Sequence, residues 1–371
     1  MSFTRFDHEC MALALVLAAK GINSTHPNPR VGCVVAKEQK ILGTGWHGVA
    51  GGPHAEVLAL QAAGADTKGA TAYVTLEPCN HHGRTPPCVD ALLGSGVDRV
   101  VMAIQDPNKR VQGAGYQRLA EAGIKVECGL MASAAEELNT GFLMRMRKAR
   151  PWVRVKVACS LDGRTALKNG ESHWISSACS RQDVQAWRAR SSAVLTGIGT
   201  VLADNPALTA RIQDPPLQPL RVVVDTDWRT PLNCRLLEAP ASTLIAGSGE
   251  KSIPAGLKES GVGLLPLPLA DGKIDLSALM QALAEREMNE VQVEAGATLC
   301  GALLKHDLVD EVLLYQSPVL LGEGGPGLFS IGVLESMNDR AHLEVIESTR
   351  MGEDFRLRLR PRKDRPGKDS H

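Results

Sequence analysis

The chain has 371 residues, 41 basic against 41 acidic side chains, and 44% hydrophobic residues. That length suits two domains at roughly 150 residues each, and the apolar content supports packed cores rather than disorder. The balanced charge excludes the broad basic field that draws a protein to nucleic acid or an anionic membrane, but leaves room for a local arginine pair on one phosphate.

The opening MSFTRFDHECMALALVLAAKG carries an apolar run at 11–19. Asp7, His8 and Glu9 stand just ahead of it and no small-residue cleavage site follows, which argues against a signal peptide. No segment reaches the roughly 18 apolar residues of a membrane span. Nine cysteines, an odd number at irregular spacing, argue against a disulfide framework and for a reducing, cytoplasmic enzyme whose thiols are free for metal or catalysis.

Along the chain, VGCVV (31–35) and ILGTGW (41–46) read as a hairpin around a polar five-residue loop. AYVTL (72–76), RVVMAI (99–104) and IKVE (124–127) read as strands, with helices between them at 54–63, 88–93 and 113–122. Gly64 and Gly94 sit where glycine closes a helix. Alternation of this kind predicts a layered α/β domain with parallel strands later in its sheet. A helical stretch near 132–147 runs into RMRKARP, where charge and Pro151 mark a boundary.

A second α/β set follows. Strands are expected at 152–158, 193–197, 221–225, 242–247, 291–296 and 311–316, and helices near 180–190, 276–287 and 297–305. DFRLRLR (354–360) alternates as an edge-type antiparallel strand should. The division is therefore 1–147, 148–360 and a polar disordered tail at 361–371, with no internal repeat between the halves.

PHAEVLALQ (53–61) and TLEPCNHHGRTPPCVDALLGSG (75–96) carry the first chemistry. Pro86-Pro87-Cys88 puts Cys88 at a helix N-terminus, where free N–H groups and the dipole favour a thiolate. His54 and Glu56 can face one metal only near an irregular helix start, because residues two apart on a helix point to nearly opposite sides. His54, Cys79 and Cys88 would make a three-ligand catalytic zinc site, with one position left for water and Glu56 as proton shuttle. A buried structural cysteine pair, or a site closed by His81 or His82 as fourth ligand, stays open. The pattern is close to the H-x-E…P-C-x-x-C signature of zinc deaminases, except that eight residues rather than two separate the cysteines.

Together, HPNPRVGCVV (26–35), GWHGVAGGPHAEVLAL (45–60) and LEPCNHHGRTPPC (76–88) resemble the deaminase domain of the bacterial bifunctional riboflavin-biosynthesis deaminase–reductase family, where the long spacing is normal. The resemblance implies a cytidine-deaminase-like three-layer α/β/α fold, Zn2+, and a pocket for a phosphorylated pyrimidine lined by Asn28, His47, His81 and Arg84. An amide suits a base edge, and imidazole or guanidinium a phosphate.

The second half has no G-x-G-x-x-G after a strand, and GEGGPG (322–327) reads better as a plain loop than as a cofactor loop. VEAGATLCGALL (293–304) offers a strand, Glu294, Gly296 and a helix N-terminus able to receive a phosphate. With SLDGRTA (160–166), GESHWISS (170–177), TGIGTVLADNPALTAR (196–211) and VVVDTDWRTP (222–231), it resembles the reductase domain of the same family. That implies a dihydrofolate-reductase-like α/β fold using NADPH. The resemblance places cofactor against Ala158, Trp174, Thr200, Asp204, Thr226 and Gly296, and substrate against Ser172, Arg188, Leu208, Arg211 and Glu294. Arg188 and Arg211 would converge on the phosphate.

The activity so implied is deamination of a diaminopyrimidine ribosyl phosphate followed by NADPH-dependent reduction of its ribose. The partner is a small molecule, neither nucleic acid nor membrane, with a homo-oligomer left open. Two other readings share the zinc motif: a tRNA adenosine-type deaminase, disfavoured by the neutral charge, and a zinc-stabilised scaffold, disfavoured by Glu56 and the three-ligand count.

Overall fold

The computed structural model describes residues 3–82, 86–108, 112–213, 217–238 and 241–362. The chain divides into two compact units at 150/151.

In the first unit, α1 (Arg5–Ala19) opens on a capping box in which Thr4 and Asp7 each bond the other's backbone N–H. β1 (Gly32–Lys37) and β2 (Lys40–Trp46) pair as the expected hairpin. The turn between them is tighter than the sequence suggests. It consists of Glu38 and Gln39 alone, both at positive φ (50° and 61°), so the strands extend past their apolar residues. Then come α2 (Ala55–Ala63), β3 (Thr71–Val74), α3 (Cys88–Ser95), β4 (Arg99–Met102), α4 (Ala114–Glu121) and β5 (Lys125–Cys128). Gly94 does not end its helix: α3 continues to Ser95, and Gly96 at φ 74° supplies the left-handed stop. The stretch expected as one helix is two, α5 (Ala132–Leu138) and α6 (Thr140–Lys148). They break at Asn139, whose side chain is drawn off to bond the backbone N–H and C=O of Arg30.

The sheet runs β2-β1-β3-β4-β5, with β3, β4 and β5 parallel. β1 is buried on both faces, so its alternate residues feed two cores. Val34 joins Met11, Ala14 and Leu17 of α1, while Cys33 and Val35 join Ala55 and Ala59 of α2 and Val89 and Leu92 of α3. This is the three-layer α/β/α arrangement.

The second unit contains β6 (Trp152–Cys159), α7 (Ala178–Arg190), β7 (Ala193–Gly197), α8 (Ile198–Asp204), β8 (Leu220–Val224), β9 (Thr243–Ser248), α9 (Ala255–Glu259) and β10 (Gly263–Leu267). A short pair, β11 (Leu269–Ala270) and β12 (Lys273–Ile274), precedes α10 (Leu276–Glu285), β13 (Glu290–Val293), α11 (Ala297–Lys305), β14 (Glu311–Gln316), β15 (Leu343–Met351) and β16 (Asp354–Pro361). Nine strands form one sheet in the order β10-β9-β8-β7-β13-β6-β14-β16-β15. It is parallel as far as β14 and antiparallel through β16 and β15.

DFRLRLR is therefore not the edge; β16 lies inside, between β14 and β15. The true edge, β15, escapes the sequence because a bulge between Val345 and Glu347 breaks its alternation. The strand expected at 291–296 stops at Val293, and 294–296 make the turn into α11. α8 lies outside the sequence expectation, since seven residues with Gly199 among them and Gly197 just ahead give too little helical period. Pro361 closes β16, and residues 363–371, most of the expected tail, lie outside the described residues.

Candidate functional site

In the first unit the site lies where α2 and α3 begin. α2 is seated against β2 at Gly43 and Gly45: a Cβ on Gly45 would fall 2.4 Å from the Ala55 carbonyl oxygen. That close approach fixes the helix start. His54 is the N-cap of α2 in an extended conformation (ψ 159°), so it and Glu56 can face one point, as the irregular start required. Cys88 is the first residue of α3, and the turn carrying Cys79 is tied to it by Cys88 N–H donating to Cys79 Sγ at 3.3 Å.

His54 Nδ1 lies 3.1 Å from Cys88 Sγ and 3.5 Å from Cys79 Sγ, and the three donor atoms fall within 4.8 Å of one another. Two thiolates and an imidazole at these separations match the edges of a tetrahedral zinc site with Zn–S near 2.3 Å and Zn–N near 2.0 Å, one position remaining. Neither His81 nor His82 belongs to this group, and both are exposed. The thiols share a proton: the hydrogen bond from Cys88 draws Cys79 below the usual thiol range, and the same bond pushes Cys88 up. The helix-start argument favoured Cys88 as the thiolate; with the metal bound both are deprotonated.

Glu56 is 3% exposed. Burial raises its carboxyl to about 7, with the nearby Cys79 charge adding to the rise. Asn28 and His47 stand beside this centre. The His47 ring meets the His54 ring edge-on, with centroids 5.2 Å apart. His47 Nδ1 lies 3.0 Å from the Pro53 carbonyl oxygen and Nε2 lies 3.0 Å from Asn28 Nδ2, which makes Nδ1 the protonated nitrogen of a neutral ring. Burial lowers the His47 pKa, which favours the neutral ring. Arg84 lies outside the described residues.

In the second unit the predicted residues gather at the carboxyl ends of the parallel strands, the usual ligand crevice of an open α/β sheet. Ala158 is near the end of β6, Thr200 and Asp204 are on α8 after β7, Thr226 follows β8, and Glu294 and Gly296 follow β13. α8 and α11 begin at Gly197 and Gly296, which offer no side-chain cap, a kind of helix start that suits a phosphate-bearing cofactor. Trp174 is 71% exposed, with the Arg181 guanidinium 4.5 Å from its ring, and is no core aromatic. Ser172 is half-buried in the same loop, and Leu208 is buried at φ 50°.

Arg188 is not a free cation. Its Nε and Nη2 donate to both oxygens of Glu294 at 2.6 and 2.8 Å, and Nη1 donates to the Thr209 carbonyl at 3.0 Å. Burial alone would raise the Glu294 carboxyl, but the Arg188 charge overcomes it and holds the group at about 2. Arg211 is exposed, its backbone N–H held by Gln185 Oε1 at 3.0 Å. Two residues were missed. Gln292 donates to Glu294 Oε1 at 2.8 Å. Lys156, on β6, lies close enough to Glu294 and Arg188 to feel both charges, and burial lowers its pKa. Its signal was the pair of cations interrupting WVRVKVA, since a strand covered on both faces keeps a charge only where a partner waits.

Three side chains able to hold a metal ion beside a buried carboxylate, in a three-layer domain, fit the class of zinc-dependent deaminases, and the second unit is a mostly parallel α/β sheet domain. Residues 4–104 match the cytidine and deoxycytidylate deaminase zinc-binding region, and 151–357 match the RibD C-terminal domain. The chain is 48% identical to riboflavin biosynthesis protein RibD of Escherichia coli, over 95% of this chain and 99% of that one. It is 41% identical to RibD of Haemophilus influenzae, over 98% and 99%. The solved structure of Acinetobacter baumannii RibD (form 1) superposes with a TM-score of 0.91 at 44% identity, covering 97% of this chain and 99% of that one. The chain belongs to the RibD family of bifunctional riboflavin-biosynthesis deaminase–reductases, and its cofactors are zinc and NADPH.

Proposed function

We propose that the first unit removes the 2-amino group of 2,5-diamino-6-ribosylamino-4(3H)-pyrimidinone 5′-phosphate and that the second reduces the ribosyl group of the product to ribityl. The observation that carries the first step is the buried Glu56 beside the His54, Cys79 and Cys88 donor set. Zinc held by those three side chains supplies Lewis-acid activation of water. Glu56 takes a proton from the attacking water and delivers it to the amine, so that C–NH2 and H2O become C=O and NH3. Asn28 and the neutral His47 hold the ring edge, and His81 and Arg84 complete the phosphate end of the pocket.

In the second unit, NADPH supplies the hydride that reaches C1′ of the ribose, and a proton completes the ribityl chain. Ala158, Trp174, Thr200, Asp204, Thr226 and Gly296 position the cofactor. Ser172, Leu208, Arg211 and the Arg188–Glu294 pair position the sugar phosphate. Arg211, exposed and near Arg188, supplies the direct phosphate contact, while Arg188 acts by fixing Glu294. The substrate is a small phosphorylated pyrimidine, in keeping with the absence of any net basic charge. A cytoplasmic setting agrees with nine free cysteines. Among the described residues no helix is long and apolar enough to cross a membrane.

Incubating the purified chain with the diaminopyrimidine phosphate should yield a product one mass unit heavier without NADPH and a further two heavier with it. Unchanged substrate in both arms would reject the assignment.

A further inference from the structure

The break between α5 and α6 does more than divide a helix. Asn139 stands at the N-cap of α6, where an asparagine ordinarily turns its side chain onto the helix's own first N–H groups, yet it makes no such bond. It is 2% exposed, and its amide reaches across the fold instead. Oδ1 accepts from the Arg30 backbone N–H at 2.8 Å, and Nδ2 donates to the Arg30 carbonyl at 2.9 Å. Arg30 returns the contact: Nη1 donates to the Leu138 carbonyl at 2.7 Å and Nη2 to the Ile22 carbonyl at 3.1 Å. Farther along α6, Arg145 Nη2 donates to the Pro27 carbonyl at 3.1 Å. The anchored residues, Pro27 and Arg30, lie on either side of Asn28. The same stretch meets the metal-ligand end of the unit through His47. Asn28 Nδ2 is 3.0 Å from His47 Nε2, the His47 backbone N–H donates to the Val31 carbonyl at 2.9 Å, and the His47 ring meets the His54 ring edge-on. One chain of contacts thus runs from the helix break to the zinc donor set.

We propose that Asn139 is a positioning residue for deamination, whose amide pins Arg30 and so holds the turn that presents Asn28 to His47 beside the zinc donor set. An amide suits this task because it accepts and donates at once, pairing with the N–H and C=O of one residue as a neighbouring strand would. Those backbone groups are buried and need such partners. A carboxylate of the same shape keeps the acceptor but sets a second oxygen against the Arg30 carbonyl. The two repel, and the turn must shift. Because Asn28 lies between the anchored residues, that shift moves its amide relative to the His47 ring and the metal ligands.

The inference rests on the reading of Asn28 as a substrate contact in a zinc deaminase, so Asn28→Ala is measured beside the other variants. Asn139→Asp should keep about one zinc per chain. Its deaminase KM should rise roughly tenfold, the order of one hydrogen bond in binding. Its kcat should stay within about threefold, the pattern of a contact made equally in ground and transition states. The reductase step on deaminated substrate should stay unchanged. Arg145→Ala, at a half-buried position, removes the donor to Pro27 and should raise KM by a smaller factor, about two- to threefold. Added to Asn28→Ala, Asn139→Asp should raise KM by less than about twofold more, because it acts through a side chain already gone. A wild-type KM in Asn139→Asp overturns the proposal, and so does its full effect persisting in the Asn28→Ala background. Loss of zinc and kcat together in Asn139→Asp also overturns it, making Asn139 a purely structural break. A wild-type KM in Asn28→Ala, with zinc and turnover intact, would instead overturn the reading of Asn28 beneath it.

Discussion

The proposed zinc donors and acid–base carboxylate all lie between His54 and Cys88, whereas the residues proposed for the reductase site are drawn from β6, β7, β8 and β13 and the loops behind them. In the first unit two helix starts and one turn bring the reacting groups together, so neighbours in sequence are neighbours in the site. In the second, a parallel sheet does so by aligning strand ends far apart in the chain. The charges differ as well. Glu56 is buried without a guanidinium and is pushed up to about 7, while Glu294, somewhat less enclosed, is paired with Arg188 and held at about 2. One carboxylate is left able to move a proton near neutral pH and the other is fixed as an anion. Burial sets the cost in both cases; the partner decides which protonation state survives it.

The sharpest break of this contrast is removal of a metal ligand. Cys88→Ser should abolish zinc binding and deamination together while the second unit still oxidises NADPH with deaminated substrate. Full zinc content by metal analysis would contradict the ligand set. Next in size, Glu56→Gln should retain zinc and lose about two to four orders of magnitude in deamination rate, the usual worth of a positioned acid–base group. A loss of less than tenfold in kcat would return Glu56 to a helix-start role.

The reductase pair should respond differently, because it joins site to core. Arg188→Ala strips the guanidinium from an enclosed Glu294 carboxylate and leaves it only the Gln292 amide and the Lys156 charge, which should lower the unfolding free energy of the second unit by up to about 3–5 kcal/mol and raise the reductase KM. Denaturant unfolding with unit-specific tryptophan fluorescence would show it, and an unchanged midpoint would refute the pairing. The same pair gives a pH dependence. Glu294 is depressed from 4.5 to about 2, so its contribution is complete above about 4.5 and is lost as pH falls towards 2. The unfolding midpoint of that unit should drop across this window. Arg211→Ala, at an exposed position, should change stability by no more than about 0.5 kcal/mol. It should still raise the substrate KM by roughly ten- to a hundredfold, the range of one charge-assisted bond. NADPH-oxidation kinetics read the result, and a wild-type KM would remove Arg211 from the phosphate site.

The α/β class, a division into two units and the grouping of His54, Cys79 and Cys88 were legible in the residues. Helix starts announce themselves by proline and apolar period, and His54, Glu56, Cys79 and Cys88 all fall at such starts or the turn before one. The positions of β1, β7 and β14 were equally plain, because strands buried on both faces read as continuous apolar runs. What lay beyond the sequence depended on contacts made across the fold. Asn139 splits a helix because the backbone of Arg30 lies within reach of its amide. β15 takes the edge through pairing with β16 despite a bulge that spoils its pattern. Above all, Arg188 looked like a phosphate ligand in QAWRARS, and only the packing of α7 over β13 presents Glu294 to two of its three donor nitrogens. Local sequence fixes which groups exist and which way a helix begins. The partner a buried charge finds is set by the tertiary structure, since it alone decides what remains near that charge once water is gone.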